Sequence, residues 1–143
     1  MHSPLPATSG SSDDFPIYRY SEALLLLSES LNEQGRPSEA LIPLNRVRAR
    51  AGLDPITETN QSSLRKLIFH ERRVELAFEN HRWEDLLREG DAVNIINTVG
   101  KKIKADAPYT PAGAYNIDDH NLLFPIPQTD LDLNSLLFQN PGY

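Results

Sequence analysis

The chain has 143 residues, of which 39% are hydrophobic, and it carries a formal net charge of −6. That length suits one domain with a single core, and the acidic balance excludes a general nucleic-acid binder, which needs a basic face. Cysteine is absent, which excludes a disulfide framework, a thiolate nucleophile and a cysteine zinc site.

Met1 to Asp14 is rich in Ser, Pro, Thr and Gly and reads as a flexible segment, with Met1-His2 as a cloning remnant. Residues 15–143 read as one helical domain. No stretch is long and apolar enough to span a bilayer, and the first residues show no basic region followed by an apolar one. Phe15-Pro16-Ile17 is extended, because the residue before proline avoids the α region. A helix then runs from about Tyr18 to Gln34. Its inward stripe is Tyr20, Leu24, Leu27 and Leu31, widened by Ala23, Leu25 and Leu26. Gly35 is a natural helix stop. Pro37 suits the first turn of a second helix, which reaches about Ala51 and turns Ala40, Leu41, Leu44, Val47 and Ala51 inward. Pro43 inside it costs about 3 kcal/mol in a regular interior, so a kink is expected, or regularity only after Pro43. The Gly35 turn, Glu39-Ala40 and Pro55 resemble one tetratricopeptide-type unit. No second copy is evident, and one such unit cannot bury its own faces.

Ser62 or Ser63 can cap a third helix ending near Glu79. At 100° per residue, Leu64, Leu67, Ile68, Glu71, Glu75 and Phe78 share its inner face. Two carboxylates one turn apart interrupt an apolar stripe, and a buried carboxylate needs a cationic partner. Arg46, Arg48, Arg50, Arg72 and Arg82 are available. Eight of the ten arginines lie between Arg46 and Arg88, interleaved with acids. The expected device is an ion-pair network of Glu71 and Glu75 with Arg48, Arg50, Arg72 and Arg82. Short helices follow over Arg82 to Glu89, stopped by Gly90, and Ala92 to Val99, stopped by Gly100. Lys101 to Lys104 reads as an exposed strand or a frayed extension. Ala105 to Asn121 is a loop. Leu122 to Pro127 is an extended apolar run whose prolines exclude a central strand. Asp130 to Leu137 holds one helical turn. This tail is too apolar to be free and is expected to lie packed across the helices.

Catalytic readings fare poorly. His70-Glu71 begins like a zinc-protease helix, but position 74 is Val where a second histidine is needed. His2, His70, His81 and His120 have no metal-ligand spacing, so no metal and no cofactor is expected. A Glu71/Glu75 acid–base pair is the hydrolase reading; the density of arginines favours a structural pair instead. Trp83 reads as a packed indole rather than a stacking platform. Tyr109 and Tyr115, in the polar loop, are the remaining candidates for a sugar-stacking surface.

Six pieces stand out together: Phe15-Pro16-Ile17-Tyr18-Arg19-Tyr20-Ser21-Glu22-Ala23-Leu24-Leu25-Leu26, Leu44-Asn45-Arg46-Val47-Arg48-Ala49-Arg50-Ala51-Gly52-Leu53, His70-Glu71-Arg72-Arg73-Val74-Glu75-Leu76-Ala77-Phe78-Glu79, His81-Arg82-Trp83-Glu84-Asp85-Leu86, Leu123-Phe124-Pro125-Ile126-Pro127-Gln128 and Gln139-Asn140-Pro141-Gly142-Tyr143. In this order they resemble the C-terminal region of the SusD/RagB family, the surface glycan-binding lipoproteins of nutrient-uptake systems. The resemblance implies an all-α fold of tetratricopeptide-like helical hairpins with long loops and an extended C-terminal segment. It implies a non-catalytic protein on the cell-surface side of the outer membrane. There it would bind oligosaccharides, starch-type or other, or peptides, and hand them to a SusC-like TonB-dependent transporter. Membrane attachment would run only through a lipidated N-terminal cysteine that this sequence lacks, so the missing part of the family's fold is expected at the front. None of the matched pieces is a ligand motif. The rival reading is a tetratricopeptide-like adaptor that binds a peptide in a groove.

Overall fold

The computed structural model describes residues 17–143; the segment read as flexible over 1–14 and the extended Phe15-Pro16 lie outside the described residues. The described residues hold six α-helices and one 3-10 turn, and no strand. The all-α class expected from the sequence is what the chain adopts. It divides into two compact units, one ending at Glu79 and the other spanning Asn80–Tyr143.

In the first unit, α1 (Tyr20–Glu33) and α2 (Pro37–Arg50) form a hairpin through the left-handed Gly35. They run antiparallel: the Ser28 hydroxyl donates to the Ala40 carbonyl at 2.8 Å, while Tyr20 lies under Arg46. The buried face of α1 is not the leucine-rich stripe read from the sequence. It is Ser21, Glu22, Leu25, Ser28 and Asn32, and it leaves Tyr20 and Leu27 exposed. Small residues decide this. Ser28 lets α2 come close at Ala40, and Asn32 makes reciprocal amide–backbone bonds with Gln61 at 3.0 and 2.7 Å. The buried Ser28 hydroxyl and the Asn32 side-chain N–H thus each find a carbonyl acceptor, as burial demands. α2 continues unbroken through the buried Pro43.

The chain then returns along the hairpin. Asn45 holds the return segment by bonding both the N–H and the C=O of Ile56, each at 2.8 Å. This carries α3 (Gln61–Glu75) back to start beside the end of α1, so α3 runs antiparallel to α1 and parallel to α2. Leu25, Ala40, Leu44, Val47, Leu64 and Ile68 are the core. The cap of α3 is Asn60, whose side chain accepts from the Ser63 N–H at 3.0 Å, rather than Ser62 or Ser63. α3 also ends at Glu75, four residues early. Phe78 follows in a left-handed conformation and is fully exposed, so it is no part of the inner face.

In the second unit, α4 (Arg82–Glu89) stops at the left-handed Gly90, and α5 (Ala92–Asp106) follows. α5 does not stop at Gly100. It runs on through Lys101 to Lys104, which form neither a strand nor a frayed end. One face of α5 carries Asn97, Gly100 and Lys104, spaced by three and four residues. The following loop folds back along that face. Asn97 brackets the backbone of Ile117 at 2.8 and 3.0 Å, and Lys104 donates to the Ala112 carbonyl and the Asn116 side chain. Between them Tyr115 lies against Gly100, where an added Cβ would sit 2.1 Å from the Tyr115 Cβ. Gly100 is therefore a packing residue and not a terminator. A 3-10 turn (Asp119–Leu122) and α6 (Gln128–Leu133) complete the unit. The apolar tail is packed only in part: Leu122, Ile126 and Leu131 are half-buried, whereas Leu123, Phe124, Leu133, Leu136 and Phe138 are exposed.

Gly100→Ala tests this packing because two effects oppose. Ala is the better helix former by about 1 kcal/mol. Forcing a methyl into a filled contact costs about 1–3 kcal/mol, and the overlap with Tyr115 places this site at the upper end. The variant should melt several degrees below the parent in a thermal scan. A raised melting temperature would show that Tyr115 is not seated on α5.

Candidate functional site

The polar centre of the first unit is built at the C-terminal end of α3. Glu71 is buried and accepts from Arg48 Nη1 at 2.6 Å. Arg48 also donates to the Asp54 carbonyl at 2.8 Å, which fixes the start of the return segment. Glu75, whose side chain is 7% exposed, meets two arginines: Arg19 at 2.6 Å and Arg50 at 2.8 Å. Arg19 reaches Glu79 as well, at 2.7 Å, and donates to the Glu75 carbonyl and the Ser21 hydroxyl. A guanidinium on the last carbonyl of α3 complements the negative end of that helix. This accounts for the early stop at Glu75: Arg19 needs both the freed carbonyl and Glu79 in the turn beyond it.

Of the arginines singled out in the sequence, Arg48 and Arg50 meet the two glutamates. Arg72 is buried on α3, one residue and therefore about 100° round from Glu71. Arg82 stands at the head of α4, in the second unit. Arg19 was not among those singled out, although it carries the largest share of the network. The signal was its position. It occupies the N-cap of α1, where Ser, Thr, Asp or Asn is preferred and where a cation opposes the helix dipole. Only partners elsewhere in the chain repay that placement.

Glu75 is not set up as a general acid. Burial pushes the Glu75 carboxyl up, but the hydrogen bonds from Arg19, Arg50 and Ser21 outweigh it and hold the group below its ordinary value. A general acid near neutral pH needs the opposite shift. The Arg19 guanidinium is raised in turn, chiefly by its bond to Glu79.

Beside the network lies a groove of about 380 Å³, lined by Arg19, Tyr20, Ser21, Leu24, Arg46, Val47 and Arg50. Arg46 sits 5.1 Å over the Tyr20 ring, within cation–π range. The two tyrosines proposed for sugar stacking differ. Tyr109 is 90% exposed in the loop after α5. Tyr115 is left-handed at φ 57° and anchored at Gly100 through its Cβ, so only part of its ring is free. Among the described residues no three His, Asp or Glu side chains gather as a metal site.

Both the sequence and the helical fold match known proteins over most of the chain. The model of the SusD family matches residues 6–143, and the chain belongs to that family. It is 36% identical over 145 residues to SusD-like protein P2 of Formosa agariphila, covering 93% of this chain and 26% of that protein. SusD-like protein P25 of the same organism is 31% identical, covering 92% and 25%. Among solved structures, a SusD homolog from Bacteroides thetaiotaomicron superposes with a TM-score of 0.73 at 32% identity, over 87% of this chain and 26% of that one. A SusD-like protein from Bacteroides fragilis gives 0.70 at 30% identity, over 90% and 26%. The chain thus spans about a quarter of the length of the relatives it matches.

Glu75→Gln removes the charge that two arginines share. At neutral pH it should cost roughly 2 kcal/mol, below the figure for a fully buried pair because Arg50 and part of Arg19 face water. The folded pKa of Glu75 lies below the ordinary value of 4.5, so its stabilisation is complete above that pH and is lost as pH falls through the depressed folded value. Urea melts from pH 7 to pH 3 should therefore show the gap between parent and variant closing below about pH 4.5. A gap independent of pH would remove Glu75 as the titrating partner.

Proposed function

We propose that this chain is part of a non-catalytic binding protein on the cell-surface side of the outer membrane. That protein captures oligosaccharides, starch-type or other glycans, and delivers them to a SusC-like TonB-dependent transporter. The observation that carries the reading is the family match over nearly the whole chain. The absence of catalysis is supported by the chemistry of α3: its two inner carboxylates are engaged by arginines at 2.6–2.8 Å and have no free role in proton transfer.

On this reading the described residues contribute framework more than ligand surface. A sugar site needs exposed aromatic faces with polar groups converging beside them. In the second unit Tyr109 offers an open ring, and Tyr115 offers half of one. Two loop tyrosines make a weak platform, so the main contacts are assigned to other parts of a SusD-like chain.

Calorimetry tests this directly. Titrating starch-type and other oligosaccharides into this chain should give little heat at millimolar ligand. A longer SusD-like protein carrying it should bind at least one of them. Micromolar binding by this chain, abolished by Tyr109→Ala or Tyr115→Ala, would overturn the assignment and move the ligand site into the loop after α5.

A further inference from the structure

The tail of the second unit combines order with exposure. Gln139 brackets Ile126, accepting from its N–H at 2.8 Å and donating to its carbonyl at 2.9 Å. Asn140 donates to the Phe124 carbonyl at 2.7 Å, and the Tyr143 hydroxyl to the Leu123 carbonyl at 2.9 Å. The His120 and Tyr143 rings meet edge to face at 5.2 Å. These bonds close the neck of a loop over residues 127–138. Inside it, α6 and the Asn134 turn, which holds the N–H groups of Leu136 and Leu137, fix the backbone. The loop is thus of the Ω type, which ordinarily turns its own side chains inward. This one does the reverse. Leu133, Leu136 and Phe138 are 86%, 82% and 84% exposed, and Phe124 at the neck is 81% exposed. Folded monomers rarely leave apolar surface of this kind in one patch of more than a few hundred Å², and where they do it marks an interface.

We infer that loop 127–138, with Phe124 at its neck, is a preformed docking element for the remainder of a SusD-like chain. Two observations select that occupant. The chain spans about a quarter of its relatives, so a SusD-like protein that carries it would have a much larger body to cover the loop. The charge also has one sign. Asp119, Asp130 and Asp132 are exposed around the loop, and no Lys or Arg follows Lys104. A second copy of the same loop would bring carboxylates against carboxylates. The surface that fits is apolar with a basic rim. The inference rests on the reading of this chain as one part of a longer SusD-like protein, and it is independent of which ligand that protein takes.

The absence of cysteine makes a clean test available. Leu136→Cys and Phe138→Cys are made singly, in this chain and in a chimera where the chain replaces the matching quarter of SusD-like protein P2. Both thiols should react with an aromatic disulfide reagent at the rate of a free peptide in the chain alone. In the chimera they should react about 100-fold more slowly, since reaction then needs local opening. Equal rates in a cooperatively melting chimera would overturn the inference. Slow labelling in the chain alone would do so too: if it relaxes on dilution the occupant is a second copy, and if not the loop is packed within the chain. Leu136→Asp with Phe138→Asp provides a reading that does not depend on the chimera. The melting temperature of this chain should be unchanged by the pair, and a fall of several degrees would place the side chains in the chain's own core.

Discussion

Arg19 is the residue on which the first unit depends. It stands at the head of α1 and holds the tail of α3 through a carboxylate, a second carboxylate and the last helical carbonyl. Two antiparallel helices are thereby joined where they would otherwise fray. Arg48 and Arg50 do the same from the end of α2. Apolar burial supplies the adhesion between these helices, but it is non-directional. Leu25, Leu44, Leu64 and Ile68 would pack in more than one register. The arginine–carboxylate contacts have one geometry, and breaking a buried pair costs more than making it gains. Here the network acts as a register device.

A second constraint recurs through both units. With no strand among the described residues, the long connections must satisfy their backbone groups by other means. Carboxamides do this. Asn45 serves Ile56, Asn97 serves Ile117 and Gln139 serves Ile126, each side chain giving one donor and one acceptor to a single residue. Asp or Glu could not substitute, because an ionised carboxylate only accepts. These clamps place the return segment, the loop after α5 and the tail, and so decide where Tyr109, Tyr115 and loop 127–138 come to lie.

Local signals were legible in the sequence. Gly35 and Pro37 marked the hairpin, Gly90 marked the end of α4, and the two carboxylates in the apolar stripe of α3 pointed to arginine partners. Three features were not legible, each because a distant contact outweighed a local preference. The stripe of α1 is displaced because Ser28 allows close approach at Ala40 and Asn32 bonds Gln61, benefits that hydrophobicity does not record. Gly100 looks like a stop until Tyr115 occupies the space its missing side chain leaves. The end of α3 is set by Arg19, which lies more than fifty positions away. The apolar tail shows the converse. Its composition demands burial, and the described residues supply it only in part, which suits a chain that spans a quarter of its relatives.

The most direct test is a double-mutant cycle between Arg19→Met and Glu75→Gln, read by urea unfolding at neutral pH. If the contact sets the register of α1 against α3, the two changes should be strongly non-additive, with a coupling of about 1–3 kcal/mol. Additivity within about 0.5 kcal/mol would mean that the apolar core alone positions these helices.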